Sequence, residues 1–354
     1  MAQNLFQILL YRYRQFGGMK VVRFYVKHGA LWPMIKIILR NPFSRESYKT
    51  GYKVAAEISG RYICRKYAPM MPVRKAYYAG QELEHGKDKV IWWCWLQGLA
   101  SAPPIVKACC NSLVHGEWFT VHGYTVKVID NANWREYVEL PDYIVKKWEK
   151  GQIPAAHFSD LLRVQLLIKY GGTWIDSTVL CTGVNVNHND NENLKVSQPS
   201  TDCEPVEPLN TQLKQFMDAD LFMFQYTQPG SEQWRGISNW FITACRNNEV
   251  LMVLRDMLFE YWKDFDCMVD YYIFHQFFSM LRSVYPEEIS AMPYGYSMRS
   301  LALGYHWGER FDQEKWDRLT ANVCFHKLGY NVKREVEEGE GNYYHFILEK
   351  FLKG

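Results

Sequence analysis

Asp160, Arg163 and Asp176 are the residues whose types and spacing most directly suggest chemistry. They share one stretch, residues 157–180, which reads HFSDLLRVQLLIKYGGTWIDSTVL. Asp160 and Arg163 are three apart, so on a helix they lie on one face and can pair. Asp176 follows Thr173-Trp174-Ile175, a short β-rich run. Two carboxylates and a guanidinium, set at a helix and at a strand end, can hold polyol hydroxyls and a phosphate through charge-assisted hydrogen bonds. Singly, each has a plainer use: a helix-surface ion pair for Asp160 and Arg163, a turn for Asp176.

The elements that must hold them are legible in the same stretch. Ser159 is the expected N-cap of a helix whose leucines, valines and isoleucines run to Gly171-Gly172, where a left-handed glycine can end it. Only Arg163, Gln165 and Lys169 interrupt its apolar surface, which predicts burial on most sides. A strand then carries Asp176 to its carboxyl end, where open α/β sheets place ligands.

Upstream, VIWWCWLQG is a continuous apolar run closed by glycine, the form of a buried strand, with Trp95 near its end. A helix pattern (Ile105, Val106, Cys109, Leu113) follows Pro103-Pro104, and an alternating strand runs from Tyr124 to a turn at Asp130-Asn131. A helical segment, Pro141 to Lys150, leads into the central stretch. This order predicts an α/β domain with a largely parallel sheet. Residues 187–212 are polar and aperiodic and read as a long surface loop. Leu221 to Gln225 reads as a strand, and Ser238 to Arg246 as a helix or a strand–helix edge. Residues 248–283 have helical period in two segments divided near Lys263 to Asp266, and the tail from Val323 is a strand or loop carrying His326.

With 354 residues the chain can bury a substantial core. Its net charge of +3 hides an asymmetry: residues 1–80 carry fifteen Lys/Arg against two acids, Glu46 and Glu57, and the remainder is net acidic. Within residues 4–16, Leu5, Phe6, Leu9, Leu10, Tyr13 and Phe16 share one helical face. Lys20, Arg23 and Lys27 line another helix, and Pro33 suits the first turn of a third. Basic amphipathic helices can lie on anionic membranes, or can pack on a main domain and merely present a basic outer face. No reading module accompanies these charges, so no nucleic acid partner is expected.

Nine scattered cysteines without paired metal spacing argue for a reducing compartment. Neither a membrane-spanning run nor a signal peptide is expected, which predicts a cytoplasmic protein. There is no G-x-S-x-G elbow, no P-loop and no G-x-G-x-x-G, so hydrolase, P-loop nucleotidase and dehydrogenase chemistry have no motif support.

The segment AAHFSDLLRVQLLIKYGGTWIDSTV resembles the core of the capsular polysaccharide synthesis family and its relatives, the DXD sugar transferases of family 32 type and the glucosylating toxins. Those proteins carry an S-D-x-x-R helix, a G-G and an aromatic-x-D-x-D strand end at this spacing. IWWCWLQGLASAPPIVKACCNSL, the segment through Val128, Ile129, Asp130, Tyr137 and Pro141, VDYYIFHQFF and CFHKLGYNVK are similar to further family segments, extending the resemblance over roughly residues 90–335.

The resemblance implies a GT-A type, Rossmann-like nucleotide-sugar domain with a mostly parallel mixed sheet over residues 86–354, preceded by a basic helical extension over residues 1–85. It implies a bacterial glycosyltransferase that moves a sugar from a UDP-sugar to a growing capsular or other surface polysaccharide with retention. The donor is a nucleotide sugar and the acceptor a glycan or lipid-linked oligosaccharide. By the same carry-over Trp95 stacks on the uracil base. Asp160 and Arg163 hold the donor sugar and nearby ribose or diphosphate. Asp176 is the first acid of the DXD, and His326 matches a metal- or diphosphate-binding histidine. The second DXD acid is here Thr178, so a Mn2+ or Mg2+ ion would rest on Asp176 and His326, or Lys327, Lys333 and Arg334 would neutralise the diphosphate in its place. The protein is then expected on the inner face of the cell membrane, held through residues 1–40. The contrasting expectation is a noncatalytic scaffold that keeps the fold and has lost transfer.

Overall fold

A computed structural model describes Tyr13 and residues 17–42, 44–183, 208–227 and 236–352. The helix expected over residues 4–16, Tyr13 apart, and all but the last residues of the loop expected over 187–212 lie outside the described residues. The chain divides into two compact units. The first joins residues 1–83, 138–165 and 249–286, and the second joins residues 84–137, 166–248 and 287–354. Residues 1–83 thus share a unit with two later segments of the chain.

The described elements of the first unit are helical. Its N-terminal part comprises α1 (Met19–Lys27), α2 (Leu31–Arg40), α3 (Arg45–Tyr67) and α4 (Met70–Ala79). Ser44 caps α3, its Oγ accepting from the Glu46 and Ser47 amides at 3.2 and 3.4 Å. The face that α3 buries is a four-residue repeat of Gly51, Ala55, Ser59, Ile63 and Tyr67. Small residues at its start let α2 approach: a Cβ on Gly51 would lie 2.9 Å from Ile38 Cγ1 and 3.0 Å from the Met34 carbonyl oxygen. The Glu249–Asp264 and Ile273–Leu281 helices complete the core with Met257, Tyr261, Trp262, Phe274 and Phe277. Two tyrosines tie α3 and α4 to it, Tyr67 Oη donating to Asp264 and Tyr78 Oη to Asp256, each at 2.7 Å.

The second unit contains all the described strands: β1 (Val90–Cys94), β2 (Thr125–Ile129), β3 (Gly172–Asp176), β4 (Val179–Cys181), β5 (Leu221–Gln225), β6 (Ile237–Ala244) and β7 (Phe325–Lys327). The main sheet runs β2-β1-β3-β6-β5. β1 pairs in parallel with β2 and β3, while β6 is antiparallel to both β3 and β5. The sheet is therefore mixed: β6 runs against the other four strands, because the segment from β5 to β6 is too short for the crossover that a parallel return requires. Of the two readings of Ser238 to Arg246, the strand is the one observed: β6 covers the segment through Ala244. Its aromatic and β-branched residues are buried on both faces, which removes the alternation that would have marked it.

The central helix spans Ala155–Tyr170, and the division between units falls within it, after Gln165. It starts four residues before the expected cap at Ser159. Pro154 supplies the first carbonyl, accepting from the Phe158 amide at 2.9 Å, and the two alanines that follow are strong helix formers. Both glycines at its end have positive φ, 68° at Gly171 and 91° at Gly172. A Cβ on Gly172 would fall 2.6 Å from the Val90 carbonyl oxygen, so the close passage of the chain beside β1 requires glycine there.

Candidate functional site

The parallel β1, β2 and β3 end on the same edge of the sheet, and their next residues form the candidate site. Cys94 is the register partner of Asp176, so Trp95 leaves β1 directly beside the residue that closes β3. Asp130, just past β2, is a turn former: its Oδ1 accepts from the Ala132 and Asn133 amides at 2.8 and 3.1 Å.

Asp176 is held from both sides. Trp174, two residues earlier on the same strand face, donates its indole N–H to Oδ1 at 2.9 Å. Lys327 Nζ donates to Oδ2 at 2.8 Å and to Thr178 Oγ1 at 2.6 Å. Lys327 is delivered by the small second sheet, in which β4 and β7 pair antiparallel with Val179 opposite Lys327. The Leu328 amide donates to the Thr178 carbonyl at 2.8 Å and fixes the turn beyond it. Asp176 and Lys327 are each 22% exposed, so the pair is open to a ligand from one side. Trp95 is half-buried and packs T-shaped against Tyr330 with ring centroids 5.3 Å apart, which places an aromatic pair at the rim formed by the segment after β7.

His326 is fully buried, with Nε2 3.3 Å from Thr182 Oγ1. Neighbours on a strand face opposite ways, so the strand that turns Lys327 toward Asp176 turns His326 away from it. Lys333 and Arg334 are exposed and pair with Glu335 at 3.3 Å and Glu338 at 2.6 Å. Of the three cations available to a diphosphate, the structure brings Lys327 to Asp176.

Asp160 and Arg163 belong to the first unit, where both are buried. Arg163 Nη1 lies 3.4 Å from Asp160 Oδ1, and its Nε donates to the Ser159 carbonyl at 3.4 Å. One turn earlier His157 has Nε2 3.2 Å from the Tyr271 carbonyl oxygen. Beside it, Asp270 accepts from the Tyr272 amide at 2.9 Å and from the Gln276 side chain. Burial raises the Asp270 carboxyl above its usual range. Asp270 lies within the segment VDYYIFHQFF. Its signal was an acid before two tyrosines and an apolar helix, which a turn explains equally well.

Two buried histidines should contribute to the acid sensitivity of the fold. Burial lowers His157 to about 4 and His326 to about 3, from an ordinary 6.5. Both are neutral in the folded chain, whereas the unfolded chain takes up their protons below about pH 6.5. Their stabilising effect is complete above that value and is lost as pH falls toward the folded values. For His157 the difference is about 3 kcal/mol. The melting temperature should therefore fall steeply between pH 6.5 and 4, and His157→Phe should flatten the profile. An unchanged slope in that variant would show that other groups control acid unfolding.

Among the described residues, no group of three or more His, Cys, Asp or Glu side chains is placed to hold a metal ion. Of the expected ligands, His326 faces away and Asp176 already accepts from Trp174 and Lys327. This donor set does not fit a divalent cation, which prefers several carboxylate or carbonyl oxygens.

A stretch of 99 residues is 33% identical to the O-glycosyltransferase PaGT of Phomopsis amygdali, covering 25% of this chain and 23% of that protein. Residues 43–347, which include both the Asp160–Arg163 helix and the Asp176–Lys327 pair, match the capsular polysaccharide synthesis protein family, and the chain belongs to that family.

Proposed function

We propose that the protein is a glycosyltransferase with a GT-A type nucleotide-sugar domain, transferring a sugar from a UDP-sugar to a growing capsular or related surface polysaccharide with retention. The observation that carries the reading is the convergence of Trp95, Asp176, Thr178 and Lys327 at the carboxyl ends of β1 and β3. That edge is where α/β sheets bind nucleotides. An aromatic face suits a base, a carboxylate suits ribose hydroxyls, and an ammonium suits a diphosphate. Transfer would rest on holding donor and acceptor in line and stabilising the departing diphosphate, which needs no base from the protein. Family membership and the partial similarity to an O-glycosyltransferase support this assignment. A divalent ion remains an expectation of the resemblance, and no step here runs through it.

A screen of nucleotide sugars by thermal shift, followed by UDP release with a glycan or lipid-linked acceptor, tests the proposal. A UDP-sugar should raise the melting temperature and be consumed. Stabilisation without turnover would favour the noncatalytic scaffold, a reading that Thr178 in place of the second DXD acid also favours. No stabilisation by any nucleotide sugar would sink both.

The proposed location is a membrane surface. No described helix is long and apolar enough to cross a membrane. α1 buries Val21, Phe24 and Tyr25 and exposes Met19, Lys20, Arg23, Val26 and Lys27. In α2 no residue is fully buried, and Trp32, Lys36, Leu39 and Arg40 form an exposed stripe, with Trp32 70% and Leu39 65% accessible. Exposed Trp and Leu beside Lys and Arg suit an anionic lipid interface. Each basic residue near such a surface contributes about 1 kcal/mol. The Trp32→Ser/Lys36→Glu variant should bind phosphatidylglycerol vesicles at least about tenfold more weakly than wild type, read by flotation. Equal flotation of the two proteins, or none by wild type, would rule out this face as the anchor.

A further inference from the structure

We infer that Lys327, bridging Asp176 and Thr178, is the cation that meets the donor diphosphate, in the place where the family resemblance implies a divalent metal ion. The inference rests on the nucleotide-sugar reading of the site and assigns its charge to a residue of the chain.

Three observations support it. The first is the charge of the cluster. In a DXD strand end, two carboxylates a residue apart make a doubly negative pair that attracts a dication. Here the second acid is Thr178, a neutral hydroxyl, and Lys327 lies within hydrogen-bond distance of both members. Asp176, Thr178 and Lys327 together carry no net charge. A dication bound at Asp176 Oδ2 would have to displace the ammonium or be repelled by it.

The second observation is placement. An ammonium has three donors and no acceptor. Two are used, at 2.8 Å on Asp176 and 2.6 Å on Thr178, which leaves the third for a ligand oxygen. The stem is positioned on both sides, by the Val179–Lys327 register pair and by the Leu328 amide on the Thr178 carbonyl. The charge therefore stands fixed before a donor arrives, the condition under which it stabilises a leaving group most.

The third is the lack of a competing ligand set. His326, the other expected metal ligand, is fully buried and adjacent in the strand, so it faces away from Asp176. No described cluster of acids, histidines or cysteines supplies a substitute.

The test is calorimetric titration of UDP into the full chain, once in chelator and once in millimolar MnCl2, with wild type, Lys327→Met and Lys327→Arg. Wild type should bind UDP in chelator within about twofold of its affinity in manganese, since a twofold change is under half a kcal/mol. Lys327→Met should bind about ten- to a hundredfold more weakly in chelator, the loss expected for one hydrogen bond from a charged donor. Lys327→Arg should retain most of the affinity. Wild-type binding that appears only with manganese would overturn the inference and leave the nucleotide-sugar reading intact. Binding in neither buffer by folded protein would overturn both. Wild-type affinity of Lys327→Met in chelator would also overturn the inference. Should Lys327→Met fail to fold, the wild-type metal arms and Lys327→Arg still decide.

Discussion

Asp176→Asn should reduce UDP release from a UDP-sugar by about a hundred- to a thousandfold, the effect of removing one preorganised polar group from a charged transition state. The substitution nearly preserves shape, so packing is not the cause. With its amide oxygen at the Oδ1 position the new side chain can still accept from the Trp174 indole, which donates to Asp176 Oδ1 at 2.9 Å. Its NH2 then faces Lys327 Nζ, donor against donor, where Asp176 Oδ2 accepted at 2.8 Å. Lys327 loses the anion that orients it, and a ribose hydroxyl loses a charged acceptor. The cost in stability should be small, about 1 kcal/mol or less, because the pair is partly exposed and its members are screened. Activity and stability therefore separate. A large loss of UDP release with a nearly unchanged melting temperature supports Asp176 as a donor-binding residue. Unchanged UDP release would reduce it to the ion-pair partner of a lysine, and the function would have to be sought elsewhere in the chain.

What the sequence revealed and what it concealed differ for physical reasons. The Gly171-Gly172 stop was legible because positive φ and a close strand are conditions that glycine alone meets cheaply. β1 was legible because a buried strand reads as a continuous apolar run, and β3 because the β-rich Thr173-Trp174-Ile175 follows the glycine stop. α3 was not, because its buried face is built from Gly51, Ala55 and Ser59, and small residues leave no hydrophobic stripe. The start of the central helix was misplaced for a related reason: Ser159 is a good cap in isolation, but Pro154 and two alanines already start the helix upstream. Asp176 could be read from its position at a strand end. Its partner could not, since the choice among Lys327, Lys333 and Arg334 depends on which one β7 pairs beside β4. Three cations within eight residues look alike until a register is known.

Arg163→Met should lower stability by about 3–5 kcal/mol, the range seen when one member of a buried ion pair is removed. Arg163 and Asp160 are 6% and 9% exposed at the side chain, so little solvent reaches either charge. Methionine fills much of the same volume, and the loss is electrostatic: the Asp160 carboxyl, buried in the first unit, no longer has the guanidinium 3.4 Å away. The Asp160→Asn/Arg163→Met double variant removes both charges and should recover a large part of that loss, because a buried pair replaced as a whole is often close to neutral. Thermal unfolding of the two single variants and the double variant measures this coupling. Additive losses would show that the two charges are held by other groups and not by each other. The same proteins also separate a structural pair from a ligand-binding one. The family resemblance assigns Asp160 and Arg163 to the donor, and if that assignment holds, UDP-sugar affinity stays low in the double variant after its stability has returned. If affinity returns together with stability, the pair only keeps the helix in place, and the donor is held without it.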